Sequence, residues 1–255
     1  MLIAFDIGNT NITVGVFEEE KLLATWRIAT DVHKMPDEYA VILLNLLAHR
    51  DLAVSDIKES ILLSSVPPLV TAFEELCHRY FGVAPRVVGP GIKTGVRILY
   101  DNPREVGPDR VADAVAAFRL YGGPVIVVDC GTGTVFDAVS REGDYLGGAI
   151  APGIVIAAEA LFEKAARLYK VELVRPKQAI GRSTVTSIQS GIIFGYVGLV
   201  EGILNRFFQE LGTKAKVVAT GGLADVVARE TSMIDVVDAN LTLVGLRLIH
   251  ELNRV

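Results

Sequence analysis

At 255 residues the chain has room for one large domain or two small lobes, at about 150 residues per domain, and its 51% apolar composition supplies a core that excludes disorder as the main state. Thirty acidic against 25 basic residues give a net charge of −5 with no Lys/Arg-rich run, so the footprint of a nucleic-acid binder is missing. Two lone cysteines, Cys77 and Cys130, with no CxxC pair, exclude a disulfide scaffold and argue against zinc. The start, Met1-Leu2-Ile3-Ala4-Phe5-Asp6, has no basic leader, so a cytoplasmic location is expected. The apolar run Gly147 to Ala158 contains Pro152 and falls short of the roughly 20 residues a bilayer requires, so it reads as core and not as membrane.

In chain order, Leu2 to Phe5 reads as a strand ending in Asp6-Ile7-Gly8-Asn9-Thr10, followed by a strand through Ile12, Val14 and Val16. A third strand, Lys21 to Ile28, follows the Glu18-Glu19-Glu20 tip, with Trp26 expected in the core. Pro36-Asp37-Glu38 opens a helix to about Arg50, because proline and acidic residues suit a first turn. Ile61 to Ser65 is a buried strand, and Pro67-Pro68 opens a helix reaching Tyr80. A looser stretch, Val83 to Asn102, carries short β-branched pieces and marks the lobe boundary. Gly107-Pro108-Asp109-Arg110 then precedes a helix to Tyr121.

The opening pattern recurs. Val125 to Val128 ends in Asp129-Cys130-Gly131-Thr132-Gly133-Thr134, followed by strands Val135 to Val139 and Tyr145 to Ile150. Asp6 and Asp129 stand about half the chain apart, so the protein reads as internally duplicated, with residues 1–113 as one lobe and 114–255 as the other. The expected class is α/β, with helices on mixed sheets. A helical segment from about Ser183 to Leu211 carries Gly191, Gly195, Gly198 and Gly202, which suggests close helix packing or a kink. Lys216 to Ala219 is a further strand, followed by Thr220-Gly221-Gly222 at the opening of a helix.

The two Asp-x-Gly strand ends carry the chemistry. Glycine lets backbone amides approach an anion, Asn and Thr add donors, and the aspartate can hold a metal ion beside a phosphate. Either copy alone would be an ordinary turn, but two copies at matching places suggest a nucleotide held between the lobes. Thr220-Gly221-Gly222 offers bare backbone to an adenosine. Asp109 can cap its helix or act as a base; phosphoryl transfer from ATP to an alcohol needs a carboxylate near the attacking hydroxyl and a cation nearby, and Asp109 with Arg110 supplies both. His33, His49, His78 and His250 show no metal-like spacing.

Taken together, Asp6-Ile7-Gly8-Asn9-Thr10-Asn11, Gly107-Pro108-Asp109-Arg110, Asp129-Cys130-Gly131-Thr132 and Thr220-Gly221-Gly222, with Gly181-Arg182-Ser183-Thr184 and Ser187-Ile188-Gln189-Ser190-Gly191, resemble the type III pantothenate kinases over nearly the whole chain. The resemblance implies the ribonuclease H-like superfold of acetate and sugar kinases, Hsp70 and actin, in two duplicated lobes. It also implies a homodimer and the ATP-dependent conversion of pantothenate to 4′-phosphopantothenate, the first step of coenzyme A synthesis. Carried onto this chain, Asp109 would be the general base and Arg110 would bind the pantothenate carboxylate, with Tyr100, Gly107 and Pro108 lining the pocket and Thr184 reaching pantothenate. Asp6 would orient Mg²⁺ through water. Gly8, Asn9, Thr10, Asn11 and Thr132 would surround the phosphates, Gly221 and Gly222 would meet the adenosine, and Asp129 would bind K⁺ or NH₄⁺. The family's second loop often reads Asp-x-Gly-Thr-Ala-x-Thr; this chain has Gly133 and Val135 at the last two places, leaving Thr134 to supply the missing hydroxyl. The alternatives are a kinase of the same fold acting on another small alcohol or acid, and a non-catalytic transcriptional accessory factor of the same family.

Overall fold

The computed structural model describes residues 1–164 and 168–254. The first half carries β1 (Leu2–Ile7), β2 (Asn11–Glu18), β3 (Lys21–Ala29), α1 (Pro36–Ala48), β4 (Glu59–Ser64), α2 (Pro67–Leu76) and β5 (Pro85–Val87), and is followed by α3 (Pro108–Tyr121). The second carries β6 (Val125–Cys130), β7 (Gly133–Val139), β8 (Tyr145–Pro152), α4 (Ile154–Lys164), α5 (Thr184–Leu211), β9 (Lys216–Thr220), α6 (Ala224–Ala228) and β10 (Val236–Val237), before the closing α7 (Leu241–Leu252).

The two sheets have one topology, β3-β2-β1-β4-β5 and β8-β7-β6-β9-β10. In each, an antiparallel meander of three strands is extended by two parallel ones, so the strand bearing Asp-x-Gly is central. Asp6 lies beside Leu63 of β4, and Asp129 beside Thr220 of β9, at the carboxyl ends of parallel pairs, where open α/β sheets present their ligand sites. Each half has a fifth strand, β5 or β10, beyond the four expected. Alternation along β1 and β2 buries Ile3, Phe5, Ile7, Ile12, Val14 and Val16 with Leu43, Leu47 and Phe73 of α1 and α2. In the other sheet Ile126, Val128, Phe136, Val217 and Ala219 pack with Ile193, Tyr196, Val200 and Leu204 of α5. Trp26 is half-buried and packs at the margin of the first core rather than inside it.

The compact units are residues 1–116 together with the chain from Asn240 onward, and residues 117–239. The division falls inside α3, a few residues after the expected boundary at 113, and α7 belongs to the first unit instead of the second. Specific bonds hold it there: Lys93 N donates to Asn253 Oδ1 at 3.1 Å and Asn253 Nδ2 donates to the Lys93 carbonyl at 2.7 Å. Among the described residues α5 is long and apolar enough to cross a bilayer. One face of it is nevertheless core, and Gly191, Gly195 and Gly198 on the other are exposed with open space around them, the two-sided pattern of a globular unit's outer helix. The helix runs unbroken through its glycines.

His250 of α7 is 4% exposed. Arg86 Nη1 lies 2.8 Å from its Nδ1 and also donates to its carbonyl at 3.3 Å. A guanidinium only donates, so Nδ1 accepts and the imidazole proton sits on Nε2, which lies 3.2 Å from Glu59 Oε1. Burial pushes the His250 value down, with Arg86 and Arg254 adding to it and Glu59 opposing. The Arg254 hydrogen bond holds Glu59 below the usual carboxylate range. A lowered histidine contributes stability that is whole above its ordinary 6.5 and lost as pH falls through the lowered value. The Glu59 contribution is likewise whole above the ordinary 4.5 and lost on further acidification. The unfolding midpoint should therefore fall as pH drops from about 7.5 to 5.5, and His250→Asn, which keeps an acceptor for Arg86, should flatten that fall; equal slopes in a thermal-melt series would exclude His250 as the source.

Candidate active site

In the first unit the Asp-x-Gly turn is a tight hairpin tip between β1 and β2. Gly8 N donates to Asn11 O at 3.0 Å, so that amide is used within the turn. Thr30, just past β3, braces it, with Oγ1 donating to Gly8 O at 2.6 Å and its amide to Thr10 O at 3.0 Å. Asn9, Thr10 and Asn11 are exposed at the tip and Asp6 is half-buried below it.

The helix carrying Asp109 starts earlier than expected. Val111 N donates to Gly107 O at 3.2 Å, so Gly107 takes the cap position and Asp109 lies in the first turn, where a carboxylate also complements the helix dipole. Its Oδ1 accepts from Arg110 N at 2.9 Å, and its Oδ2 accepts from the Ser65 hydroxyl at 3.3 Å. The folded-back carboxylate requires Gly107, because a Cβ there would fall 2.4 Å from Oδ1. Ser65 in turn donates its amide to Ile7 O at 2.9 Å, so the chain of contacts ties Asp109 to the strand that ends in the first turn. Arg110 is only 8% exposed, and Gly107, Pro108 and Tyr100 are half-buried.

In the second unit two expected pieces meet, the Asp129 turn and Thr220-Gly221-Gly222. Gly221 has φ of +88°, and a Cβ there would lie 2.3 Å from Asp129 Oδ1 and 2.8 Å from the Cys130 carbonyl carbon and oxygen, so Asp129 rests on the backbone of the Thr220-Gly221-Gly222 turn. Leu223 N closes the junction by donating to Cys130 O at 3.2 Å. Thr132 is exposed at the hairpin tip. Pro152-Gly153, at the end of β8, backs that tip: a Cβ on Gly153 would fall 2.3 Å from Thr132 O. Thr184, the first residue of α5, lines a different hollow, an apolar one of about 430 Å³ with Leu161, Leu168, Ile188 and Ile192.

Thr134 does not take the role expected of it. Strand alternation turns it inward with Phe136, fully buried, and its Oγ1 lies 2.6 Å from the Tyr196 hydroxyl. Cys130 shares this interior, where burial pushes its thiol up to about 12, so it is inert as a nucleophile. Val135 keeps the outward place without a hydroxyl. Thr134→Val should leave kcat within about twofold and cost about 1 kcal/mol by leaving the Tyr196 hydroxyl with the Cys130 thiol as its weaker partner, as read by turnover and denaturant titration of one preparation.

Ser65, Thr30 and Gly153 were not singled out by sequence reasoning. Each follows the last residues of a strand, which was the only signal available. Among the described residues no cluster of three or more His, Cys, Asp or Glu could hold a metal, whereas a single carboxylate beside substrate phosphates is the usual Mg²⁺ arrangement in kinases, and Asp6 at the first turn fits it.

The family model of type III pantothenate kinases matches residues 2–206. A type III pantothenate kinase from Dehalococcoides mccartyi (strain CBDB1) is 51% identical over 254 residues, and one from Bacillus cytotoxicus 49% over 255; each match takes in 100% of this chain and 97% of the relative. Among solved structures, a Campylobacter jejuni protein provisionally described as a Baf family transcriptional activator aligns with a TM-score of 0.62 at 20% identity, covering 98% of both chains. The activator of the 2-hydroxyisocaproyl-CoA dehydratase from Clostridium difficile, with bound ADPNP, aligns at 0.57 and 12% identity over 98% of this chain and 95% of that one. At these identities the structures speak to fold, and the fold is that of the sugar kinases and actin-like ATPases.

Proposed function

The chain belongs to the type III pantothenate kinase family, and we propose that within it Asp109 takes the proton from the pantothenate hydroxyl while the two Asp-x-Gly turns receive the phosphates of ATP. It is a kinase that phosphorylates pantothenate with ATP in coenzyme A biosynthesis. The observation that carries the residue assignment is the held carboxylate of Asp109, one oxygen bonded within its helix and the other facing Ser65 at the end of β4.

The reaction moves one phosphoryl group. As the pantothenate oxygen bonds to the γ-phosphorus, its proton passes to Asp109 and the bond to the β–γ bridging oxygen breaks, leaving ADP. Phosphoryl transfer is mostly positioning and charge stabilisation, with the base adding about 10²- to 10⁴-fold. Arg110 would take the pantothenate carboxylate, a task suited to a guanidinium, with Tyr100, Gly107 and Pro108 shaping the substrate's surroundings; Thr184, which lines a hollow of its own, would reach pantothenate across the dimer interface. Asp6 would hold Mg²⁺, which supplies charge neutralisation on the phosphates when bound. Asn9, Thr10 and Asn11 would serve the phosphates in the first unit, with Gly8, its amide bonded within the turn, allowing their close approach; Thr132 would do so in the second, where Gly221 and Gly222 would face the adenosine.

Asp129 would hold the monovalent cation, K⁺ or NH₄⁺. A carboxylate beside strand-end carbonyls is a hard-oxygen donor set, which suits such ions. Asp129→Ala should abolish stimulation by K⁺, and an unchanged cation titration would exclude the role. The outward glycine stripe of α5 supports a homodimer through that helix, since small residues let a second helix approach closely. The acidic balance of the chain supports action without nucleic acid, and membership in a family of metabolic kinases supports a cytoplasmic setting. An assay with ATP, Mg²⁺, K⁺ and competing acceptors tests the whole reading; transfer to a sugar or short acid but not to pantothenate would overturn it.

A further inference from the structure

We infer that Ser65 is a positioning residue for phosphoryl transfer: its hydroxyl holds the Asp109 carboxylate against the end of β4 and so selects Oδ2 as the oxygen that meets the substrate alcohol. The inference rests on Asp109 being the base. An ionised carboxylate only accepts, so the 3.3 Å contact between Ser65 Oγ and Asp109 Oδ2 has the hydroxyl as donor. The other oxygen, Oδ1, already takes the Arg110 amide at 2.9 Å, over the bare Cα of Gly107. The two oxygens are therefore not equivalent. Oδ1 is turned into the helix, while Oδ2 has room for one more hydrogen bond after Ser65, and that is the capacity a substrate hydroxyl needs.

Ser65 is suited to hold a group still. Its amide donates to Ile7 O at 2.9 Å, one step beyond the last β1–β4 pair. Ser64 Oγ closes the following turn by accepting from Val66 N at 2.9 Å, and α2 begins at Pro67. The hydroxyl thus rides on a strand end locked on both sides. Since Ile7 directly precedes Gly8, Ser65 fixes the base relative to the strand that carries the first phosphate turn. A catalytic group gains from rigid support of this kind because small displacements from the reactive geometry cost rate directly.

The experiment uses the full-length enzyme with Ser65→Ala, Ser65→Thr, Asp109→Asn and the Ser65→Ala/Asp109→Asn pair. For Ser65→Ala, kcat should fall about 5- to 30-fold, with KM for ATP and for pantothenate within about twofold and the melting midpoint nearly unchanged. Ser65→Thr should restore most of kcat. In the Asp109→Asn background the same serine change should cost nothing further, because it acts through the carboxylate. If Ser65→Ala does not fold, Ser65→Cys, similar in size but a poor donor, carries the same comparison. Ser65→Ala turnover within twofold of the parent beside an inactive Asp109→Asn enzyme would overturn the inference and leave the base reading standing. So would a loss confined to KM, or one that persists undiminished in the Asp109→Asn background. Near-normal turnover of Asp109→Asn would remove the base reading itself, and a Ser65→Ala loss alongside it would show the serine acting elsewhere.

Discussion

Asp109→Asn should lower kcat by about 10²- to 10⁴-fold, the range a general base supplies, while ATP still binds and the fold stays intact. The change is nearly isosteric. An asparagine carbonyl can still accept from Arg110 N or from Ser65, and Gly107 leaves the side chain the same space. Only the capacity to take a proton is removed. Asp109→Ala separates the two roles of the residue, because it also withdraws a carboxylate from the first turn of α3 and should cost about 0.3–1 kcal/mol of stability on top of the lost rate. Turnover, nucleotide calorimetry and melting midpoints on the three proteins decide it. If Asp109→Asn keeps a tenth or more of parental turnover with normal melting, the proton goes elsewhere.

What the sequence made readable follows from how local each signal is. The hairpins bearing Asp6 and Asp129 were readable because strand alternation and turn residues sit within a dozen positions, and their repetition gave the duplicated fold. Helix α7 was not, since Leu241–Leu252 carries no motif and its place beside β1 and β4 is set by contacts such as Arg86 with His250 that span most of the chain. Helix α4 was hidden in the apolar run after Gly147, where Pro152-Gly153 ends a strand and opens a helix. The error at Thr134 came from reading a loop pattern where strand geometry governs. β7 already begins at Gly133, and period-two alternation sends residue 134 inward. Ser65 was read only as a strand end, because its partner Asp109 is distant in sequence and a serine after a strand is common.

The largest combined effect on stability and site should come from Gly221→Ala. At φ of +88° a residue with a Cβ costs about 1–3 kcal/mol in backbone strain alone. The added carbon would also stand 2.3 Å from Asp129 Oδ1 and 2.8 Å from the Cys130 backbone, so the junction of β6 and β9 must open or Asp129 must leave its place. Gly212→Ala is the matched control. It ends α5 at φ of +67° with nothing within 4 Å of a Cβ, so it carries the backbone cost without the collision. Both variants should melt lower than the parent, Gly221→Ala by more. Gly221→Ala should also lose at least about tenfold in ATP affinity, or 1.4 kcal/mol, together with its response to K⁺, because the carboxylate proposed to hold the cation is the group displaced. Gly212→Ala should keep both. A Gly221→Ala enzyme that melts lower but binds ATP and responds to K⁺ like the parent would separate the Asp129 position from nucleotide and cation binding.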